Sequence, residues 1–365
     1  MVVRLSTLPG KVSRLISVVS LLAVLSAGLP AAGEEPLWQQ YNDKGVDALN
    51  QGKLPEAEKL LQQAVDEVSK QGTESEDYAT AVGNLAELYS KAGRYPESER
   101  EFRKSIAVLE QIRGPNDIEV AGRLNNLGVL FARMGQYNNA ITTHERALRL
   151  RREKLPAGHR DIGESLNNLA LVYMETGDYK KAEEYFNEAL ENWQKAYGPE
   201  HARVATVLNN LALCYRRQKE YDKAEAMFKR AIAIDEKAIG QTHPDMAYDY
   251  NNLAELYAAQ GKYSEAEPLY RKALAIWEKT LGPDHPEVGI SLNNLAVFYS
   301  DQNKLSEAEP YYKRALDIKR KKLGPYHPEL CTTLSNYAHF LRKLKREEEA
   351  KQVDAEIAEI KDHNK

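Results

Sequence analysis

The stretch Leu292-Asn293-Asn294-Leu295-Ala296-Val297-Phe298-Tyr299 returns along the chain with small changes. It reads LNNLALVY from Leu166 to Tyr173, LNNLALCY from Leu208 to Tyr215 and YNNLAELY from Tyr250 to Tyr257. Earlier copies are LNNLGVLF from Leu124 to Phe131 and VGNLAELY from Val82 to Tyr89. The second asparagine falls at Asn84, Asn126, Asn168, Asn210, Asn252, Asn294 and Asn336, always 42 residues apart. Seven copies at one spacing define a repeat array. An array presents a surface, and no reaction is visible in the pattern.

The unit from Met246 to Pro286 shows how each copy is built. Ala247, Tyr250, Leu253, Ala254 and Tyr257 recur at spacings of three and four, which predicts a helix from Met246 to Ala259. Gln260-Gly261-Lys262 breaks it, since glycine takes a left-handed turn at no steric cost. A second helix is predicted from Tyr263 to about Lys279, with Ala266, Leu269, Tyr270, Ala273 and Ile276 facing inward. Leu281-Gly282-Pro283-Asp284-His285-Pro286 then leads to the next unit, and Pro286 suits a first helical turn. Alanines recur at 140, 182, 224, 266, 308 and 350, with Ser98 the exception, where a longer side chain would push crossing helices apart. Tyr89, Phe131, Tyr173, Tyr215, Tyr257 and Tyr299 are the large wedges of the same stack.

The ends differ from the middle. The first unit turns at Gln51-Gly52-Lys53, 41 residues before Gly93, as a slightly degenerate cap would. In the last unit Leu344-Lys345-Arg346 replaces the glycine turn, and a charged helix is expected from Glu347 to about Ile360, with a frayed tail from Lys361 to Lys365.

Composition sets broad limits. With 28% charged and 42% apolar residues and a net charge of -4, the 365-residue chain has an ordinary soluble balance and no basic stripe for nucleic acid. Arg4, Lys11 and Arg14 precede an apolar run from Leu15 to Leu29 and then Pro30-Ala31-Ala32-Gly33, the order of a signal peptide cut after Gly33. Residues 1–33 are thus read as a signal segment and the protein as exported, periplasmic or extracellular. The alternative is an uncleaved N-terminal anchor holding the chain on the periplasmic side of a membrane. No cysteine closely follows the run, which excludes a lipid-modified N-terminus. Export permits disulfides, but Cys214 and Cys331 lie 117 residues apart. That is nearly three repeats, too far for one bridge.

Catalytic and metal chemistry are not expected. His159, His201, His243, His285 and His327 also recur at 42, but each sits in its own inter-repeat loop, and zinc ligands must converge on one ion. They are read as loop-stabilising or helix-start residues. No phosphate loop, zinc-protease motif or nucleophile elbow is present, and no cofactor is implied.

Leu-Ala-x-x-Tyr in the first helix of a unit and alanines in the second resemble the tetratricopeptide repeat. The 42-residue period, the Asn-Asn-Leu-Ala phrase and the Gly-Pro-x-His-Pro loop are similar to the longer variety of kinesin light chains and of many bacterial proteins. The resemblance implies an all-α fold, a right-handed superhelical solenoid of about eight antiparallel helix pairs. Its units would lie near 36–76, 77–118, 119–160, 161–202, 203–244, 245–286, 287–328 and 329–363. It also implies binding of a protein or an extended peptide along the concave face made by the first helices.

Carried onto this chain, the groove positions are the second asparagines Asn84, Asn126, Asn168, Asn210, Asn252 and Asn294. The first asparagines Asn125, Asn167, Asn209, Asn251 and Asn293 face or border the groove. A carboxamide can hold both the C=O and the N–H of an extended peptide. The other reading is that these amides bond to neighbouring repeats and order the stack, and both can hold at different units. Three residues beyond each second asparagine stand Glu87, Val129, Leu171, Leu213, Glu255 and Val297, one turn along the same face. With Arg133, Arg216 and Arg217 nearby, an apolar centre between acidic ends suits a peptide with a hydrophobic anchor beside an acid. Glu164, Glu175 and Glu255 dilute that positive field. Two functions compete: a non-enzymatic binding scaffold using this groove, and a structural protein of the cell envelope that assembles or self-associates through its convex face or edges. An enzyme with a closed pocket of converging acids is a third.

Overall fold

The computed structural model describes residues 35–363. The signal segment, its cleavage after Gly33 and the anchored alternative fall on residues 1–33 and lie outside the described residues. Sixteen helices and no strand are present among the described residues. They divide into two compact units, residues 35–199 and 200–363.

The first unit holds four helix pairs: α1 (Leu37–Asn50) with α2 (Leu54–Ser69), α3 (Glu76–Lys91) with α4 (Tyr95–Arg113), α5 (Ile118–Arg133) with α6 (Tyr137–Lys154), and α7 (Arg160–Thr176) with α8 (Tyr179–Tyr197). The second holds four more: α9 (Ala202–Arg217) with α10 (Tyr221–Ile239), α11 (Pro244–Ala259) with α12 (Tyr263–Leu281), α13 (Pro286–Asp301) with α14 (Leu305–Leu323), and α15 (Leu330–Lys343) with α16 (Glu347–His363). Lys361 to His363 continue the last helix instead of fraying, whereas Asn364 and Lys365 lie outside the described residues.

Each pair closes through a tight turn that contains one left-handed residue, as at Gly261 with φ +76°. Four histidines of the 42-residue series, His159, His201, His243 and His285, are the N-caps of first helices, while His327 lies two residues before the N-cap of the last one. Nδ1 of His159, His243 and His285 accepts the backbone N–H two residues on at 3.2, 3.2 and 3.3 Å, as an N-cap side chain should. His201 and His327 make the same bond to Arg203 and Glu329.

Burial follows the sequence columns. Ala140, Ala182, Ala224, Ala266, Ala308 and Ala350 are fully buried where the two helices of a pair cross. Ser98, the exception, satisfies its buried hydroxyl by donating to the Ala86 carbonyl at 2.8 Å. The wedge rings are buried, and their phenols reach carboxylates on the preceding second helix, as Tyr257 does to Glu225 (3.1 Å) and Tyr299 to Glu267 (2.7 Å). Cys214 is buried, Cys331 half-buried, and both thiols are free. Within each unit the first helices of neighbouring pairs also touch: α1, α3, α5 and α7 in one, and α9, α11, α13 and α15 in the other. In each unit they form a wall of its own, and these walls carry the asparagines.

Candidate functional site

The wall is stitched by amides. In the first unit, Asn84 Nδ2 donates to Asn42 Oδ1 at 2.8 Å, Asn126 Nδ2 to Glu87 Oε1 at 2.7 Å and Asn168 Nδ2 to Asn125 Oδ1 at 3.2 Å. In the second unit, Asn294 Nδ2 reaches Glu255 Oε1 at 3.5 Å and Asn336 Nδ2 reaches Asn293 Oδ1 at 3.2 Å. One rule covers these bonds beyond the first pair. Where the residue three beyond the preceding second asparagine is a glutamate, as at Glu87 and Glu255, it receives the next amide. Where that residue is Val129 or Val297, the amide turns to the preceding first asparagine. Hydrogen bonds of this kind fix the register of helix on helix, the stacking arrangement among the two readings of these residues.

The first asparagines Asn125, Asn167, Asn209 and Asn251 are at most 4% exposed, and Asn293 is buried as well. Asn209 donates to the Asp249 carboxylate on the neighbouring first helix. Among the second asparagines, Asn84, Asn168 and Asn210 are buried, and Asn126, Asn252 and Asn294 are half-buried. Asn252 makes no hydrogen bond among the described residues. Leu171 and Leu213 are buried; Val129 and Val297 are half-buried and bring apolar surface to the wall. Arg216 pairs with Glu255, which already meets Asn294, and Arg217 is half-buried beside it.

The first unit gathers a cluster that motif reading did not single out in full. Arg123 lies on α5 with its guanidinium against the backbone of Gly83; a Cβ at Gly83 would meet Arg123 Cζ at 2.8 Å. Gly83 stands where later repeats place the first asparagine, so its missing side chain is the room the guanidinium occupies. Arg123 is half-buried and makes no hydrogen bond or ion pair among the described residues. Arg133, near the end of α5, donates to Ser90 Oγ at 3.3 Å and has no carboxylate bonded to it among the described residues. Burial pulls the Arg133 and Lys91 cations below their ordinary values, and the Glu87 carboxylate counters that for Lys91. Burial also pushes the Glu87 carboxyl up, the nearby Glu164 adds to this, and Arg123 and Lys91 oppose it.

Arg123, Lys91 and Asn42 are the residues missed. Their signal was present, since Asn42 continues the asparagine series one period back and Arg123 occupies the column of Ser165, Val207, Asp249, Ser291 and Thr333. No group of three or more His, Cys, Asp or Glu side chains among the described residues could hold a metal ion. No helix among them is long and apolar enough to cross a membrane.

The tetratricopeptide repeat profile matches residues 40–111, 77–153, 161–237 and 245–321, well over half of the chain. No curated protein matches the sequence. Among solved structures, BtubC (BKLC) from P. vanneervenii is 24% identical with a TM-score of 0.53, covering 68% of this chain and 94% of its own. A putative kinesin light chain of Podosopora anserina with nearly identical repeats is 22% identical with a TM-score of 0.50, covering 57% of this chain and 98% of its own. A Rap protein complexed with competence and sporulation factor is 16% identical with a TM-score of 0.61, covering 92% and 89%. These likenesses are of fold. With the profile match over four stretches, the helix pairs and the 42-residue columns, the chain belongs to the tetratricopeptide repeat family.

Proposed function

We propose that the protein is a non-enzymatic scaffold that holds an extended, acid-bearing segment of a partner protein on the wall of first helices in residues 35–199. The observation that carries this is the pair of half-buried guanidiniums, Arg123 and Arg133, to which no carboxylate is bonded among the described residues. Ten residues apart on one helix, they stand about 15 Å from each other. That spans four to five residues of extended chain at roughly 3.3 Å each. Val129 lies between them with apolar surface for an anchor, and Asn126, held by Glu87, keeps its Oδ1 to accept a backbone N–H. The asparagines then serve mainly as the frame, because most of their amides are occupied between repeats. The Rap protein, solved with its factor, supports the reading by fold alone.

The test is capture from a cell-envelope extract with the wild-type chain and with Arg123→Glu/Arg133→Glu. Loss of the captured partner by a variant that melts like wild type is expected. Equal capture would sink the groove reading and leave the assembly role to other faces of the molecule. The proposed setting is outside the cytoplasm. The protein recovered from the envelope should have the mass of a chain beginning at Glu34, whereas a mass that includes Met1 to Gly33 would show the anchored form.

A further inference from the structure

The first helices end on a column of residues spaced at 42, like the asparagines. In residues 200–363 it holds Asp301 and Lys343, the last residues of α13 and α15, and in residues 35–199 it holds Lys91 and Arg133, the last residues of α3 and α5. The first of these two couples is complementary. Lys343 Nζ meets the Asp301 carboxylate at 3.2 Å and the Ser300 hydroxyl at 3.3 Å. Arg133 repeats half of this arrangement, since its Nη1 donates at 3.3 Å to the hydroxyl of Ser90, the residue in the place of Ser300. The other half is inverted. Lys91 stands in the place of Asp301, so a second cation lies where the other unit has a carboxylate. Burial disfavours both charges, and the Arg133 cation acts against that of Lys91. The C-terminal helix ends offset part of each cation, but they do so equally at Lys343, which meets a carboxylate as well.

The chain does not make good the missing charge. Arg133 has no ion pair among the described residues, although Glu175 follows it in the column. Glu87, one turn before Lys91, accepts the Asn126 amide at 2.7 Å, and Arg123 on α5 acts on it together with Lys91. Glu164, also near, is paired with Arg151 at 3.4 Å. The charges acting here are thus Lys91, Arg123 and Arg133 against the Glu87 carboxylate.

We propose that Arg133, Lys91 and Ser90 form a site for a phosphoryl group carried by the partner segment. This rests on the proposed use of the wall as the binding face and names the acid at its Arg133 end. A phosphoryl group stands in for the carboxylate that Asp301 gives to Lys343, and its second negative charge answers the second cation. A carboxylate answers one cation and leaves the other in a half-buried site. The donors also fit. The guanidinium and the ammonium each reach one terminal oxygen, and the Ser90 hydroxyl, whose oxygen accepts from Arg133, keeps its proton for a third. Hydrogen bonds between a guanidinium and a phosphoryl oxygen are of the charge-assisted, strong kind. Val129, one turn before Arg133, gives the neighbouring residue of the segment an apolar contact.

The probe is acetyl-Leu-phosphoSer-Leu-amide, titrated into the full chain while the NMR signal of the Arg133 Nε–H group is followed. Saturable shifts are expected at pH 7.5, with binding about ten-fold or more weaker for the same peptide carrying glutamate in place of phosphoserine. Binding should weaken below about pH 6, where the phosphoryl group takes up its second proton. Lys91→Asp, which copies Asp301 and gives Arg133 a carboxylate of the chain's own, should weaken binding by about ten-fold or more without lowering the melting temperature. Lys91→Ala serves if the aspartate variant does not fold, and should weaken binding several-fold. Arg149→Glu, which removes an exposed cation of α6, should leave it unchanged. Absent shifts, equal binding of the glutamate peptide, binding undiminished by the Lys91 substitutions, or loss in Arg149→Glu would each overturn the proposal. Inorganic phosphate bound as tightly as the phosphopeptide would overturn the assignment to a partner. Equal binding of the two peptides, lost for both in Arg123→Glu/Arg133→Glu, would sink the phosphoryl site alone and leave the acid-binding wall standing.

Discussion

At the scale of single residues, His144 is the least expected member of the core. Its column holds Phe102, Phe186, Phe228, Tyr270 and Tyr312 in the neighbouring pairs. His144 is 1% exposed, and neither ring nitrogen has a hydrogen-bond partner. The opposite helix gives way to it, since Gly128 replaces the alanine of that column and a Cβ there would meet the imidazole at 2.7 Å. Burial, with the nearby Arg151 cation adding to it, pulls its pKa from 6.5 to about 3. The native ring therefore stays neutral while the unfolded chain takes up a proton below pH 6.5. Stability is full above that value and declines as pH falls toward 3, by up to roughly 5 kcal/mol over the window. His144→Phe should remove this part of the acid sensitivity. Urea unfolding at pH 7.5 and pH 4.5 measures it: the loss on acidification should be several kcal/mol smaller in the variant, and an equal loss in both proteins would contradict the assignment. The His144–Gly128 exchange is written in two columns of the repeat and was legible there. The unmet hydrogen bonds were not, because they depend on what the ring faces across the helix crossing.

At the scale of the helix pair, the connection between the two helices carries the strain. Its left-handed residue is glycine at positions 52, 93, 135, 177 and 261, but Lys219 and Lys345 adopt the same conformation with φ +64° and +60°. An L-residue with a Cβ costs about 1 kcal/mol or more there, against the entropy glycine loses on folding. Lys219→Gly and Lys345→Gly should each stabilise the chain by about 0.5–1 kcal/mol, read as a higher denaturation midpoint at unchanged slope. Asn303, at φ +60°, tolerates the conformation better, so Asn303→Gly should gain less. A lowered midpoint in both lysine variants would mean that their side chains hold the turn by contacts that outweigh the strain. The pairs themselves were readable, because a fixed period places every turn, cap and wedge in register. Helix ends moved only slightly: the helix expected from Met246 begins at Pro244, and that expected to end near Lys279 reaches Leu281. The wall was harder to read. Periodicity puts both asparagines on one helix face, but whether an amide meets a guest or a neighbouring helix depends on the distance to the next repeat. A single substitution, Glu87 against Val129, redirects the bond.

At the scale of the molecule, a stack of pairs is stabilised by faces that each neighbour covers, so its last pair has a task the others lack. In residues 200–363 that pair is α15 with α16. Its inner side is apolar: Tyr312 of α14 is buried against Tyr337 and Phe340, with ring centres 5.6 and 5.2 Å away. Polar ties follow the same boundary, with Asn336 on Asn293, Lys343 on the Ser300 carbonyl and Arg346 on Glu309. The far side is charged, since α16 buries only Ala350 and Ile360. Deleting residues 325–365 would replace that charged surface with the uncovered Tyr312 face and unpaired amides, a contiguous apolar patch of the kind that drives association. The truncated chain should therefore self-associate, with sedimentation velocity showing species larger than the monomer at concentrations where the full chain shows none. Its most stable repeats should nevertheless keep their helical circular dichroism, because each pair depends on its neighbours and not on the far end. A truncated chain that stays monomeric and melts like the full one would show that α15 and α16 do not serve as a lid, and their ties to α13 and α14 would then need another explanation.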